Sequence, residues 1–463
     1  MLVLYGKRRV GKTALIRELF KNSKTKNLYF FVPRNEKINN IINNFASIVK
    51  NELNLKEYEK IESFSDLIKI LFDYSKNKKI IIAFDEFQNF VFTYPEALDI
   101  LQREWDIQNN DSNLSLIISG SVMGMIKNIF IEKNSPLFKR AYNMIKLDEL
   151  SMEKTFELMS LLKIKSFEDK IKLYFLFGGV IFYYSLIDYY NIKSFNDAVN
   201  SFFLSPVAPL KDSIKGDMIE AFGNKSATYF SILEAIAEGK NTNNEVATYA
   251  ELKETSLSQY IYDLKSMLGI IKTITLPTKQ FKPGSKKNKF IITDNFYNFW
   301  FSAINKNYSY YEINDIKGLA QKLNQIIPLL NGIAFERFAQ KFIEFLSRNG
   351  IIFHINNIGN WWGKNPEKMK AMNREEIDIV AVNEKTKDIL FGECKWSNSL
   401  VGVNIYNNLK AKSKLIEWNN EKRKEHFVLF SKAGFTNEMK IIATKDNVML
   451  FNLNAVEKVF ASV

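Results

Sequence analysis

Leu2-Val3-Leu4-Tyr5-Gly6-Lys7-Arg8-Arg9-Val10-Gly11-Lys12-Thr13 opens with four apolar or aromatic residues and closes on Gly-Lys-Thr, which runs directly into a helical pattern reaching Phe20. The spacing is that of a phosphate-binding loop set between a strand and a helix. Gly6 and Gly11 let the backbone curl, so that the N–H groups of Lys7, Arg8, Arg9 and Val10 and the helix N-terminus face phosphate oxygens. Lys12 reaches the terminal phosphates and the Thr13 hydroxyl ligates magnesium. The expected ligands are therefore ATP and Mg2+.

Working outward, Ile80-Ile81-Ile82-Ala83-Phe84-Asp85-Glu86 is an uninterrupted apolar run ending in two carboxylates, as a central parallel strand requires. Asp85 stands where a metal-side carboxylate is needed, and Glu86, one residue on, is placed to polarise the attacking water. A third strand, 114–118, ends in Ser119-Gly120-Ser121, where Ser119 could sense the terminal phosphate. Arg140 precedes a strand expected over 142–147. It reads either as an arginine finger toward its own or a neighbouring nucleotide or as an exposed surface arginine.

The whole chain has 463 residues, too many for one ordinary core, and its 46% hydrophobic and 25% charged content is globular. Its net charge of +13 favours a polyanionic partner such as nucleic acid. Cys394 is the single cysteine and His354 and His426 the two histidines, which excludes an intrachain disulfide framework and a Cys-cluster zinc site and fits a reducing cytoplasm. The N-terminal apolar stretch is far shorter than a signal-peptide core. The most apolar window, 173–187, falls short of a membrane span and reads as a buried helix and turn.

The segments GKRRVGKT, IIIAFDEFQ, IISGS, SPLFKR and FGGV, in that order, resemble the archaeal-type ATPases of the AAA-related and signal-transduction group. The resemblance spans nearly the whole chain. It implies a winged helix after the ATPase and a small C-terminal domain ending in a G-E-C-K-W-like segment, here Gly392 to Trp396. Members usually carry an adenine-holding segment before the phosphate strand, which here begins at Leu2. They also follow the Gly-Gly pair with proline, whereas Gly178-Gly179 is followed by Val180.

In the middle of the chain, helices are expected over 228–237, 243–252 and from Thr255 to Leu268, with tight turns between them, as in a helix-turn-helix. Two short strands, 270–276 and 290–292, would form a wing. Its loop holds Lys279, Lys282, Lys286, Lys287 and Lys289, either as salt-dependent DNA contacts or as a solvated hairpin. Tyr260 and Lys265 would be the groove-facing side chains. The aromatic run Asp294 to Phe301 reads as core.

Near the C-terminus, a helix over 333–345 carries Glu336 and Gln340 four apart on one face. A strand 376–380 and, after a turn at 383–387, a strand 389–396 would place Asp378, Glu393 and Lys395 on one polar face, because residues two apart point the same way. The interval between the acids is 393 − 378 = 15 residues, which suits a hairpin bringing both to one metal. This D-x14-E-x-K order with a helical Glu upstream resembles the PD-(D/E)xK nuclease superfamily. The resemblance implies Asp378 and Glu393 as magnesium ligands, Lys395 as the group that positions or deprotonates water, and Glu336 as support. A salt bridge at a sheet edge is the alternative. Trp361-Trp362 would shape the substrate edge or close the core. A helix over 404–418 bearing Lys410, Lys412 and Lys414, and a loop with Lys422, Arg423 and Lys424, read as phosphate contacts or as a solvated face.

The fold class is thus α/β: a P-loop NTPase core over 1–150, a helical lid over 151–222, a winged helix-turn-helix over 223–310 and a restriction-endonuclease-like α/β domain over 311–463. Two functions follow. One is an ATP-driven enzyme acting on DNA with a C-terminal nuclease. The other is a regulatory ATPase whose C-terminal domain only binds nucleic acid or protein. ATP and DNA are the expected partners, with no membrane, and with a nucleotide-dependent oligomer or a protein partner as a further option.

Overall fold

The computed structural model describes residues 1–54, 60–278, 288–369 and 373–462. Lys279, Lys282, Lys286 and Lys287, expected on the wing loop, lie outside the described residues. The chain forms two compact units. The first comprises 1–150, 180–183 and 261–269, and the second the remainder. The first unit takes in 180–183 from the expected lid and 261–269 from the expected winged helix. Among the described residues no helix is long and apolar enough to cross a membrane.

In the first unit five parallel strands, β1 (Leu2–Tyr5), β2 (Lys26–Phe31), β3 (Ile80–Asp85), β4 (Leu114–Gly120) and β5 (Asn143–Lys146), are ordered β2-β3-β4-β1-β5. Both faces of such a sheet are covered, which is why β3 reads as a continuous apolar run. Phe30 and Phe84 stack at 5.0 Å on neighbouring strands, and Phe45, Phe64, Phe87 and Phe90 close around them, all fully buried. The helix Phe64–Asn77 begins at a reciprocal cap between Ser63 and Asp66.

The second unit contains the helices Ser226–Ala237 and Asn243–Tyr249 and an antiparallel pair, β6 (Ile271–Ile274) with β7 (Lys289–Ile292), in the register Ile271 to Ile292. The expected strands therefore exist and pair. Phe296, Phe299, Trp300 and Phe301 are buried, so the aromatic run is core.

A mixed sheet in the order β12-β11-β10-β9-β8 follows: β8 (Asn357–Lys364), β9 (Arg374–Val382), β10 (Asp388–Lys395), β11 (Lys424–Ser431) and β12 (Met449–Asn452). β8, β9 and β10 pair antiparallel, and β10, β11 and β12 parallel. The helix Ile316–Arg348 is much longer than the expected 333–345 and carries Pro328 inside it. Its buried Phe335, Phe338, Phe342 and Phe345 repeat at helical spacing and meet Phe430, Phe451 and Phe460 edge-on or tilted. The helix expected over 404–418 stops at Ser413. There the buried guanidinium of Arg423 donates to the carbonyls of Ser413 and Ile416 and satisfies the helix end.

Candidate functional site

The phosphate loop joins β1 to the helix Lys12–Asn22. A Cβ on Gly6 would lie 2.1 Å from the Leu147 carbonyl oxygen, and Gly11 caps the helix at φ +104°, so only glycine fits either position. Lys12 is 5% exposed and its ammonium donates to the carbonyls of Gly6 and Lys7 at 3.0 and 2.9 Å. Burial holds its pKa below the ordinary lysine value, opposed by the Glu86 and Asp85 carboxylates. The Thr13 hydroxyl donates to Asp85 Oδ2 at 2.7 Å, and the Tyr29 hydroxyl reaches the same oxygen at 2.7 Å. A hydroxyl and a carboxylate oxygen facing each other beside a helix N-terminus are the hard donors that magnesium takes, so the residues fit that ion.

Glu86 stands at φ +53°, a left-handed conformation rare outside glycine. Its Oε2 accepts from the Ser121 hydroxyl at 2.7 Å and from the Gln88 amide. The Ser119 hydroxyl is buried without a hydrogen-bond partner among the described residues, so the serine joined to Glu86 is Ser121. Lys7 pairs with Glu149 at 2.9 Å. Residues 180–183, expected in the lid, belong to this unit: Phe182 N–H donates to the Arg9 carbonyl, the Arg9 guanidinium reaches the Tyr183 hydroxyl at 3.3 Å, and Ile181 lies 3.2 Å from a Cβ built on Gly11. Arg140 lies at the opposite end of the parallel strands, three residues before β5 begins, and pairs with Asp106 through two nitrogens. An arginine there is out of reach of the nucleotide on its own chain, because the phosphate loop sits at the strands' C-terminal edge.

In the second unit, the antiparallel register ends where Ile379 pairs with Gly392, and Asp378 and Glu393 are the next residues on the two strands. Lys395 shares their face and donates to Glu393 Oε1 at 2.9 Å. Lys412, 14% exposed, stands 3.6 Å from Glu393 Oε2, an oxygen that is buried with no hydrogen-bond partner. Asp378 Oδ2 accepts the Cys394 N–H at 2.8 Å, and the Gln340 amide donates to the Asp378 carbonyl at 2.7 Å, which ties the long helix to β9. Burial, with Asp378 and Glu393 nearby, pushes Glu336 up to about 8. Burial, with Glu393, pushes Asp378 up to about 6. The carboxylates are thus close enough to repel one another. Glu393 Oε2 with its missing donor, opposite Asp378, fits a divalent cation that keeps most of its waters. Among the described residues no three or more His, Cys, Asp or Glu side chains are grouped so that they could hold a metal ion, so at most two of these acids would serve one cation.

Residues 1–183 match the family described as an ATPase domain predominantly from Archaea, and residues 300–413 match one described as archaeal and bacterial proteins of unknown function. An uncharacterized protein of Methanocaldococcus jannaschii is 30% identical over 425 residues, covering 90% of this chain and 87% of that protein. The chain belongs to this archaeal-type ATPase family. The Walker-type ATPase of Pyrococcus abyssi shares its fold, with a TM-score of 0.51 and 20% identity over 65% of this chain and 90% of that one. A looser match, TM-score 0.44 and 14% identity over 68% of this chain and 89% of that one, is to the ORC2 protein of Aeropyrum pernix in its ADPNP–ADP complexes.

In this archaeal-type ATPase, four side chains beside the two sites escaped the sequence reading. Tyr29 and Gln88 carry no motif signal. Ser121 was legible only as the neighbour of Ser119. Lys412 looked like one lysine of a solvated face, whereas it is buried against Glu393. Of the other expected contacts, Lys289 lies over the Trp362 ring at 4.3 Å and Trp361 is buried.

Proposed function

We propose that this chain is an ATP-hydrolysing switch that acts on DNA through a magnesium-dependent phosphodiester-cleaving site in its C-terminal sheet. The observation that carries the proposal is that Asp378, Glu393 and Lys395 share one strand face beside the helix bearing Glu336, where burial, with the neighbouring carboxylates adding to it, raises Glu336 and Asp378. At the nucleotide, Lys12 would neutralise the terminal phosphates, Thr13 and Asp85 would hold magnesium, and Glu86 would polarise the attacking water. Ser121 and Gln88 hold Glu86 in place meanwhile.

At the second site Asp378 and Glu393 would hold magnesium, which when bound neutralises the scissile phosphate. Lys395 would orient the water, and Glu336 would support the cluster from its helix. The fold reading that goes with this is a winged helix over 223–310 and a restriction-endonuclease-like domain from 311, in a protein of the reducing cytoplasm. Arg140 would reach the nucleotide of a neighbouring copy in a nucleotide-dependent oligomer only by leaving Asp106.

A second reading has its own support. Lys395 and Lys412 both pair with Glu393, so its charge is balanced without a metal, as a domain kept only for binding would require. The test is cleavage of linear and circular DNA with magnesium or with EDTA, with and without ATP, comparing wild type with Glu393→Gln. Magnesium-dependent cleavage lost in Glu393→Gln supports the enzyme, and no cleavage in any condition leaves the regulatory ATPase.

A further inference from the structure

The second unit contains a cleft of about 440 Å³, within the size range of small-ligand sites, which begins where the strand bearing Lys395 ends. Its walls carry an unusual set of neutral amides. Asn196 and Asn200 stand one turn apart on the helix Phe195–Phe203, and Asn324 and Asn331 two turns apart on the long helix. None of these four side chains makes a hydrogen bond within the described chain.

Asn331 is the decisive one, being only 6% exposed. Its amide atoms are not sealed from solvent, so they are open to a ligand in the cleft. One turn before it, Pro328 has no N–H to offer the Asn324 carbonyl, which leaves a backbone acceptor at the same wall.

The remaining walls are aromatic and cationic. Trp396, the residue after Lys395, is held edge-on by Phe175 and Phe335 at 5.2 and 5.0 Å, and Phe195 lines the other side. Lys172 and Lys432 share the single carboxylate of Glu168, which leaves one net positive charge at the rim.

We propose that this cleft receives one unstacked base of a single-stranded nucleic acid. Amides that both donate and accept suit the edge of a nucleobase, aromatic walls suit its faces, and the rim cation suits the phosphate that follows. Duplex DNA offers no free base to such a cleft. The inference deepens the proposed nuclease reading and rests on it for the identity of the strand.

The test is fluorescence anisotropy of the full chain, in EDTA, with a labelled single-stranded DNA dodecamer and its matched duplex. Wild type is expected to prefer the single strand. Asn331→Leu weakens single-strand binding about tenfold while its melting temperature is unchanged, since the amide makes no hydrogen bond within the described chain. Asn196→Ala/Asn200→Ala, at exposed positions, weakens binding without disturbing packing. Preference for duplex, wild-type affinity in both asparagine variants, a lowered melting temperature in Asn331→Leu with binding intact, or no binding by wild type overturns the proposal. Glu393→Gln separates the two ideas. If it keeps single-strand binding and no form of the protein cleaves DNA, the cleavage reading fails and the cleft stands. If it abolishes binding while the asparagine variants do not, the cleft fails and the carboxylate site stands.

Discussion

The two acidic sites are built in opposite ways. Asp85 and Glu86 are consecutive residues at the end of one strand, and their partners are neutral donors: Thr13, Tyr29, Ser121 and Gln88. Asp378 and Glu393 are 15 residues apart on two neighbouring antiparallel strands, near a third acid from a helix, with two ammonium groups on Glu393 and the Cys394 N–H on Asp378. Neutral donors arrange a carboxylate without cancelling its charge, so the first site is ready for a cation beside it. The second site is crowded, and its charge is relieved by proton uptake or by Lys395 and Lys412. A cation would relieve the same repulsion.

The largest expected effects set the two sites against each other directly. Lys12→Ala abolishes ATP hydrolysis, whereas Glu86→Gln keeps nucleotide binding and loses turnover by about 10²–10⁴-fold, measured as phosphate release and nucleotide affinity. Hydrolysis at the wild-type rate in Glu86→Gln would break the assignment of the water-side carboxylate.

Next come the cores beneath the sites. Phe84→Ala in the first unit and Phe338→Ala in the second each remove a fully buried ring and should each cost about 3–5 kcal/mol. Calorimetry of both variants reports whether each lesion shifts its own transition. A single shared shift would mean that the two units melt as one.

The residues that position the acids follow. Tyr29→Phe and Lys412→Ala should each reduce the activity of their own site by about 10–100-fold and leave the other untouched, in the manner of groups that orient a metal ligand. Nucleotide turnover and DNA cleavage are the two readouts. A loss of both in either variant would show that the effect is global.

The smallest effect concerns protons. Glu336 is raised from its ordinary 4.5 to about 8, so the folded state holds a proton that the unfolded chain has released. Stability from this residue is full below about 4.5 and declines as pH climbs to about 8. Glu336→Gln should flatten that decline and raise the melting temperature at pH 8 by roughly 2–4 °C for each kcal/mol recovered. An unchanged slope between pH 5 and 8 would show that the crowding is relieved otherwise.

The contrast between the sites also decides how much could be read beforehand. The phosphate loop, β1, β3 and β4 were legible because a phosphate cradle and a buried parallel strand each need a contiguous run of particular residues, and Gly6, Gly11, Lys12 and Thr13 occur in one. β2, which begins at Lys26-Asn27, carried no motif and was missed, and the long helix was read only over 333–345 of its 316–348. The lysines around 404–424 were indistinguishable in sequence, yet Lys412 turns to Glu393 and Arg423 turns to a helix end.

By itself, the amino-acid sequence determined the local chemistry: a loop that can only wrap phosphate, an acidic pair after an apolar strand, and an alternation that puts Asp378, Glu393 and Lys395 on one face. Only the tertiary structure decided which groups approach from elsewhere in the chain. It brought Tyr29 and Ser121 to the first acids, Lys412 to the second, residues 180–183 to the phosphate loop, and Asp106 to Arg140. Backbone spacing fixes neighbours within a turn or a strand pair, whereas contacts across tens to hundreds of residues depend on how apolar surfaces pack.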